Sequence, residues 1–224
     1  MSVHPSRVTS ALLGAAVMLA SATIGQAADY DFTPPPELRP TLPWEGAYAG
    51  GLLTGGFLDS TYTPSTSADP ELAGDGVMGG FIAGYNWQFN HLVVGVEADA
   101  SYGKIDAKNT LDAVEYKIPW LATARARLGY AMDDTLIYGT AGVGVMEGEM
   151  FLPGFGETDE KTHLGFVIGG GVEQAFSENL RGRLEYIHGS FENQVYDFSA
   201  GTVDLEVDDL HLVRAALVWN FTAD

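Results

Sequence analysis

Residues 113–130 alternate so regularly between two kinds of side chain that they fit a β-strand with two different faces. One parity is apolar throughout and consists of Val114, Tyr116, Ile118, Trp120, Ala122, Ala124, Ala126, Leu128 and Tyr130. The other parity includes Glu115, Lys117, Thr123, Arg125 and Arg127. Because successive side chains of a strand point to opposite sides, one face would be free of charge. This pattern is typical of a strand that faces lipid on one side and a polar interior on the other.

Similar segments, rich in glycine, valine and aromatic residues, recur along the chain. We predict strands at about 45–57, 76–88, 92–103, 113–130, 136–147, 163–176, 180–191 and 208–221. The connections after the second, fourth and sixth segments are short, whereas the others are long, polar and mostly acidic. Short turns at one end and long loops at the other are characteristic of outer-membrane barrels. The predicted fold is therefore all-β, an eight-stranded antiparallel up-and-down transmembrane β-barrel with its long loops outside the cell.

The amino terminus has the layout of a secretory signal peptide. A short polar start with Arg7 precedes an uncharged apolar run, and small residues follow it. The run is shorter than the roughly 20 residues that a membrane-spanning helix needs. We expect a signal peptide over 1–27 with cleavage between Ala27 and Ala28, a proline-rich periplasmic lead-in over 28–43, the barrel over 44–221 and a short extension over 222–224.

Charge and cysteine content exclude several classes of function. The 224 residues include 30 acidic and 11 basic side chains, which give a formal net charge of −19. Nucleic-acid binding is not expected, because phosphate contacts require clustered lysine and arginine. Cysteine is absent, so disulfides, thiolate metal sites and cysteine nucleophiles are ruled out.

Charged residues on the inward parity of several strands form the principal candidate site. They are Glu97, Asp99, Arg125, Arg127, Glu173, Arg183, Glu185 and Arg214. Side chains alone fill the interior of an eight-stranded barrel, and charges buried there must pair to offset their desolvation. We predict a salt-bridge network that plugs the lumen. The alternative is a narrow ion path, or a gate that opens when the charges exchange partners.

Aromatic residues near the ends of the apolar parity predict two interfacial girdles. The predicted girdle residues are Tyr85, Trp87, Tyr102, Tyr116, Trp120, Tyr130, Phe176, Tyr186, Trp219 and Phe221.

Six short motifs, in this order and spacing, resemble the outer-membrane immunogenic protein family, a branch of the OmpA-like and opacity-type eight-stranded porins. They are WEGAY at 44–48, GGFIAGYNWQ at 79–88, VGVEAD at 94–99, ARARLGY at 124–130, YGTAG at 138–142 and GGGVE at 169–173. Two positions depart from the family pattern: three residues follow Phe221, where the family usually ends on an aromatic residue, and Gln174 replaces a frequent girdle aromatic.

The resemblance, which covers about residues 44–221, implies a monomeric structural surface antigen in the Gram-negative cell envelope. Weak porin-like conductance is the most that it implies. The implied partners are outer-membrane lipids, lipopolysaccharide and, during insertion, the barrel-assembly machinery.

Two other functions stay open. The acidic loops could bind divalent cations as surface ligands, and the resemblance implies heme as a second possible ligand of the extracellular loops. Alternatively, His188 and Ser190, which share the lipid-facing parity, resemble the His-x-Ser pair of lipid A deacylases, although no orienting residue or oxyanion donor can be named. The remaining histidines at 91, 163 and 211 are scattered along the chain. We expect no catalytic residues, no metal site and no cofactor.

Overall fold

A computed structural model describes residues 44–63, 71–108, 115–154, 156–198 and 201–221. The predicted signal peptide, its cleavage site, the lead-in and the extension at 222–224 all lie outside these ranges. Over the described part of the chain, there is no helix with the length and apolar character needed to cross a membrane.

The described residues form one antiparallel sheet that closes on itself. Its strands are β1 (Gly46–Thr63), β2 (Glu71–Phe89), β3 (Leu92–Lys108), β4 (Glu115–Met132), β5 (Thr135–Leu152), β6 (Glu157–Ala175), β7 (Leu180–Phe191), β8 (Gln194–Phe198) and β9 (Gly201–Phe221). Sequential neighbours pair from β1 to β7, then β7 pairs with β9 and β9 with β1. The short β8 pairs with the first part of β9. The predicted eight-stranded antiparallel barrel is thus confirmed.

The register around the barrel sets the tilt of its strands. A line of paired residues that starts at Gly46 passes through all eight barrel strands and returns to β1 at Gly56, ten residues further along. A stagger of this size inclines eight strands by roughly 40° and leaves an interior just wide enough for side chains.

Two of the short turns use residues that tolerate a left-handed backbone. Asn90, between β2 and β3, has φ 56°, and Asp133, between β4 and β5, has φ 49°. Asparagine and aspartate enter this region more readily than other non-glycine residues. These tight turns, with residues 176–179 between β6 and β7, define what we call the turn end of the barrel; the opposite end is the outer end.

The strands continue at the outer end into segments predicted to be loops, and this part of the prediction was wrong. Between β5 and β6 only residues 153–156 separate the strands. Five acidic residues beside this connection are paired strand residues: Glu147, Glu149, Glu157, Asp159 and Glu160. Alternating hydrophobicity marks only the part of a strand that crosses lipid, whereas backbone pairing carries the sheet beyond it.

The prediction that Tyr116 belongs to an aromatic girdle was wrong, because β4 contains a bulge. The pairing of β4 with β5 shifts between Lys117 and Leu121, beside Pro119, which has no N–H to donate to a ladder. The extra residue reverses the side-chain parity beyond this point. Tyr116 therefore points inward and is 0% exposed, instead of lying on the lipid face with Trp120.

Apolar side chains fill both ends of the interior. At the turn end, the Trp44 cluster comprises Trp44, Val93, Ala131, Leu136, Tyr138 and Ala175. In the outer half, the outer apolar cluster comprises Leu58, Met78, Ile105, Ala107, Tyr116, Ile118, Leu121, Met146, Met150, Val167, Ile187, Phe191, Tyr196, Leu210 and Leu212.

Candidate functional site

The buried charges lie inside the barrel between the two apolar clusters. All eight predicted residues are buried, and their side chains are at most 1% exposed. Their positions follow from the period-two alternation of β3, β4, β6, β7 and β9.

Arg125 is the centre of the part of this network nearer the outer end. Its guanidinium donates from Nη2 to Glu97 Oε1 at 2.6 Å and to Asp99 Oδ1 at 2.9 Å, and from Nη1 to Glu185 Oε1 at 2.9 Å. Arg214 approaches from the other side and donates from Nη1 to Asp99 Oδ1 at 2.9 Å. Charges from β3, β4, β7 and β9 therefore meet across the lumen.

Glu173 is the centre of the part nearer the turn end. Its Oε2 accepts hydrogen bonds from Arg127 Nη2 at 3.0 Å and Arg183 Nη2 at 2.8 Å. Arg183 also donates to Glu97, which therefore joins the two parts. Such charge-assisted contacts are stronger than neutral hydrogen bonds and hold the guanidinium planes in place.

Aromatic side chains surround the same charges. Tyr48 donates its hydroxyl to Glu97 Oε2 at 2.7 Å and accepts from Arg127 Nη1 at 3.1 Å. The Tyr138 hydroxyl donates to Glu185 Oε1 at 3.0 Å, and the Arg127 guanidinium carbon lies 4.1 Å from the centre of the Tyr138 ring. Both aromatic rings therefore lie in direct contact with the buried charges.

Arg181 and Trp44 are among the interior residues that the sequence analysis did not predict. Arg181 is buried, with its guanidinium carbon 4.5 Å from the centre of the Trp44 ring and Nη1 3.9 Å from Glu173 Oε1. The signal for Arg181 was present, because it has the same parity as Arg183 and Glu185. Trp44 was placed at the start of the barrel domain, and its inward position depends on how β1 enters the barrel. With Arg181, the described interior holds five arginines and four carboxylates.

The other predicted girdle residues lie on the outer face of the barrel wall. Those more than one-third exposed are Tyr85, Trp87, Tyr102, Tyr130, Phe176, Tyr186, Trp219 and Phe221. Trp120 is partly buried, next to the β4 bulge.

A small polar cluster lies inside the outer end of the barrel, within the outer apolar cluster. His163 donates from Nδ1 to the carbonyl oxygen of Glu192 at 3.0 Å, since a carbonyl can only accept. Its Nε2 lies 2.8 Å from the Tyr196 hydroxyl and 3.2 Å from the Tyr116 hydroxyl. This geometry is that of a histidine that carries its proton on Nδ1 and accepts at Nε2.

The histidine and serine of the proposed hydrolase pair lie on the outer wall. Nε2 of His188 is 3.4 Å from Asp209 Oδ1, so an acidic neighbour exists that the sequence analysis did not name. Within the described residues, however, Ser190 and His188 are not hydrogen-bonded to each other. A base that activates a serine must reach its hydroxyl.

The chain is similar to known outer membrane proteins over most of its length. A family model described as "Outer membrane protein beta-barrel domain" matches residues 13–221. A 22 kDa outer membrane protein of Rhizobium leguminosarum bv. viciae is 33% identical over 172 residues, which cover 77% of this chain and 76% of that protein. A 25 kDa outer-membrane immunogenic protein of Brucella abortus is 33% identical over 175 residues, 78% of each chain.

Solved structures show the same fold at low sequence identity. The crystal structure of the outer membrane protein OprG from Pseudomonas aeruginosa aligns with a TM-score of 0.60 and 15% identity, over 80% of this chain and 98% of that one. Neisserial surface protein A aligns with a TM-score of 0.51 and 15% identity, over 79% of this chain and all of that one.

Proposed function

The chain belongs to the outer membrane protein β-barrel domain family, and from this premise we propose that it is a non-enzymatic structural protein and surface antigen with a closed lumen. It is located in the outer membrane of a Gram-negative cell. Relatives named as outer-membrane immunogenic proteins support the antigen role. The observation that carries the closed lumen is the buried charge network, which joins five strands across the interior.

Two layers close the lumen in this proposal. The charge network fills the half near the turn end, and Trp44 packs over Arg181 on its far side. The outer apolar cluster fills the other half with buried side chains such as Leu121, Met146 and Leu212. Ions would have to pass both layers, and a dry apolar constriction opposes ion passage even where charges nearby could rearrange.

Closure of the sheet supports a monomer among lipid and lipopolysaccharide. Each of the eight barrel strands has a partner on both sides, so the barrel has no free edge that must pair with a second copy. The outward side chains of the barrel wall include exposed residues such as Phe81, Phe166 and Leu217, as a lipid-facing surface requires. Insertion of such a barrel is the step for which we propose the assembly machinery as partner.

Planar-bilayer recording of the refolded protein tests the proposal. We expect no steady current above that of the bare bilayer, because both layers exclude ions. E173Q, which weakens the charge network, should also be silent because the outer apolar cluster stays intact. A shift in migration between boiled and unboiled samples would show that each preparation is a folded barrel.

Stepwise openings of the folded wild type would overturn the closed lumen. Openings restricted to E173Q would instead show that the ion pairs alone act as the gate.

A further inference from the structure

A cluster of metal-binding side chains lies on the outer wall where β7 meets β9. His188 and His211 are direct cross-strand partners, and Asp209 is two residues from His211 on the same strand. Side chains of direct partners, and of residues two apart, share a face of the sheet. All three therefore point away from the lumen, outside the charge network.

We propose that His188, Asp209 and His211 bind a zinc-class divalent transition-metal ion at the outer border of the membrane-spanning wall. One ligand-type atom from each residue lies within 4.8 Å of the others. His188 Nε2 and Asp209 Oδ1 are already 3.4 Å apart. Two ligands of a tetrahedral zinc ion, each at about 2.0–2.2 Å from the metal, are separated by roughly this distance. Small side-chain rotations would complete the site.

Tyr186 orients one of the two imidazoles. Its hydroxyl lies 2.7 Å from His211 Nδ1, and the two rings stack with centroids 6.0 Å apart. A hydrogen bond at one ring nitrogen fixes the ring and presents the other nitrogen to a metal. His211 would thus coordinate through Nε2, with Nδ1–H donating to the tyrosine oxygen.

The donor set selects the class of ion. Two imidazoles and one carboxylate suit zinc and its neighbours in the transition series, whereas magnesium and calcium prefer oxygen donors alone. The side chains of His188 and Asp209 are 35% and 50% exposed, so an ion can enter from outside and one coordination position stays open to water. Three protein ligands with an open fourth position are a common arrangement for zinc.

Calorimetric titration of the refolded, untagged protein with zinc chloride tests the site. Excess magnesium in the buffer would occupy the acidic residues near the outer ends of the strands. We expect saturable binding of one ion per barrel, weakened at least tenfold in H188A, H211A and D209N. Y186F should weaken zinc binding by about tenfold, which is the lower end of the range for loss of a residue that orients a metal ligand. H91A, in an exposed turn, should bind as the wild type does.

Absence of saturable zinc binding in the wild type would overturn the proposal, as would unchanged binding in H188A and H211A. The migration shift between boiled and unboiled samples verifies that each variant is folded. A second readout, the denaturant midpoint, should rise with zinc concentration in the wild type but not in H211A, because a ligand bound only to the folded state stabilises it. Neither readout depends on whether the lumen conducts.

Discussion

Glu173→Gln will lower the free energy of unfolding of the barrel by about 3–5 kcal/mol, the range for removing one partner from a buried ion pair. The variant keeps the shape of the side chain and removes only its charge. Arg127, Arg181 and Arg183 all lie within 3.9 Å of the Glu173 carboxylate. Without that charge, three buried guanidinium groups face one another, and their repulsion is weakly screened away from water. Denaturant unfolding in detergent micelles or vesicles, followed by tryptophan fluorescence, measures the loss.

Glu178→Gln is the matched control. Glu178 is exposed, in the turn between β6 and β7, and the chemical change is the same. Its effect should stay within about 0.5 kcal/mol, as for most surface substitutions. Arg181→Met in the E173Q background removes one of the three opposed arginines, so the double variant should lose less than the sum of the two single losses. Equal stability of E173Q and E178Q would show that the network contributes little to holding the barrel together.

Trp44→Ala will lower the free energy of unfolding by about 3–5 kcal/mol, as expected for a large aromatic side chain removed from a packed core. Trp44 is 1% exposed and contacts the Arg181 guanidinium through its ring. Its backbone is also fixed: the N–H donates to Gln88 Oε1 at 2.6 Å, and the carbonyl accepts from Asn86 Nδ2 at 3.2 Å. The alanine variant would leave a cavity under the charge network and remove a cation–π contact.

Trp87→Ala separates this effect from the general loss of a tryptophan. Trp87 is 43% exposed on the outer face, where its ring contacts Tyr85 with centroids 4.9 Å apart. Its substitution should lower the free energy of unfolding by less than half as much as Trp44→Ala does, because no cavity forms in the interior. Denaturant midpoints of the two variants, read from the remaining tryptophans, provide the comparison. If W44A and W87A were equally stable, Trp44 would not be a core residue.

Local patterns in the sequence were sufficient for the strands and for the inward position of the predicted charges. The period of two is a property of each strand by itself, so Arg125 and Arg127 could be placed on one face without knowing their neighbours. The same reasoning failed at Tyr116, because the Pro119 bulge adds one residue and reverses the parity. It also ended the strands too early, since polar side chains beyond the membrane obscure a sheet that backbone hydrogen bonds continue.

Partners across the barrel depended on the tertiary structure alone. Glu97 and Arg183 are separated by 86 residues, and their contact requires the closed sheet with its ten-residue stagger. His211 was one of the scattered histidines of the sequence, yet the β7–β9 register places it opposite His188. The sequence by itself determined which face each strand residue occupies, because alternation is local. Only closure decided which charges pair and which histidines meet, because register and stagger are properties of the whole sheet.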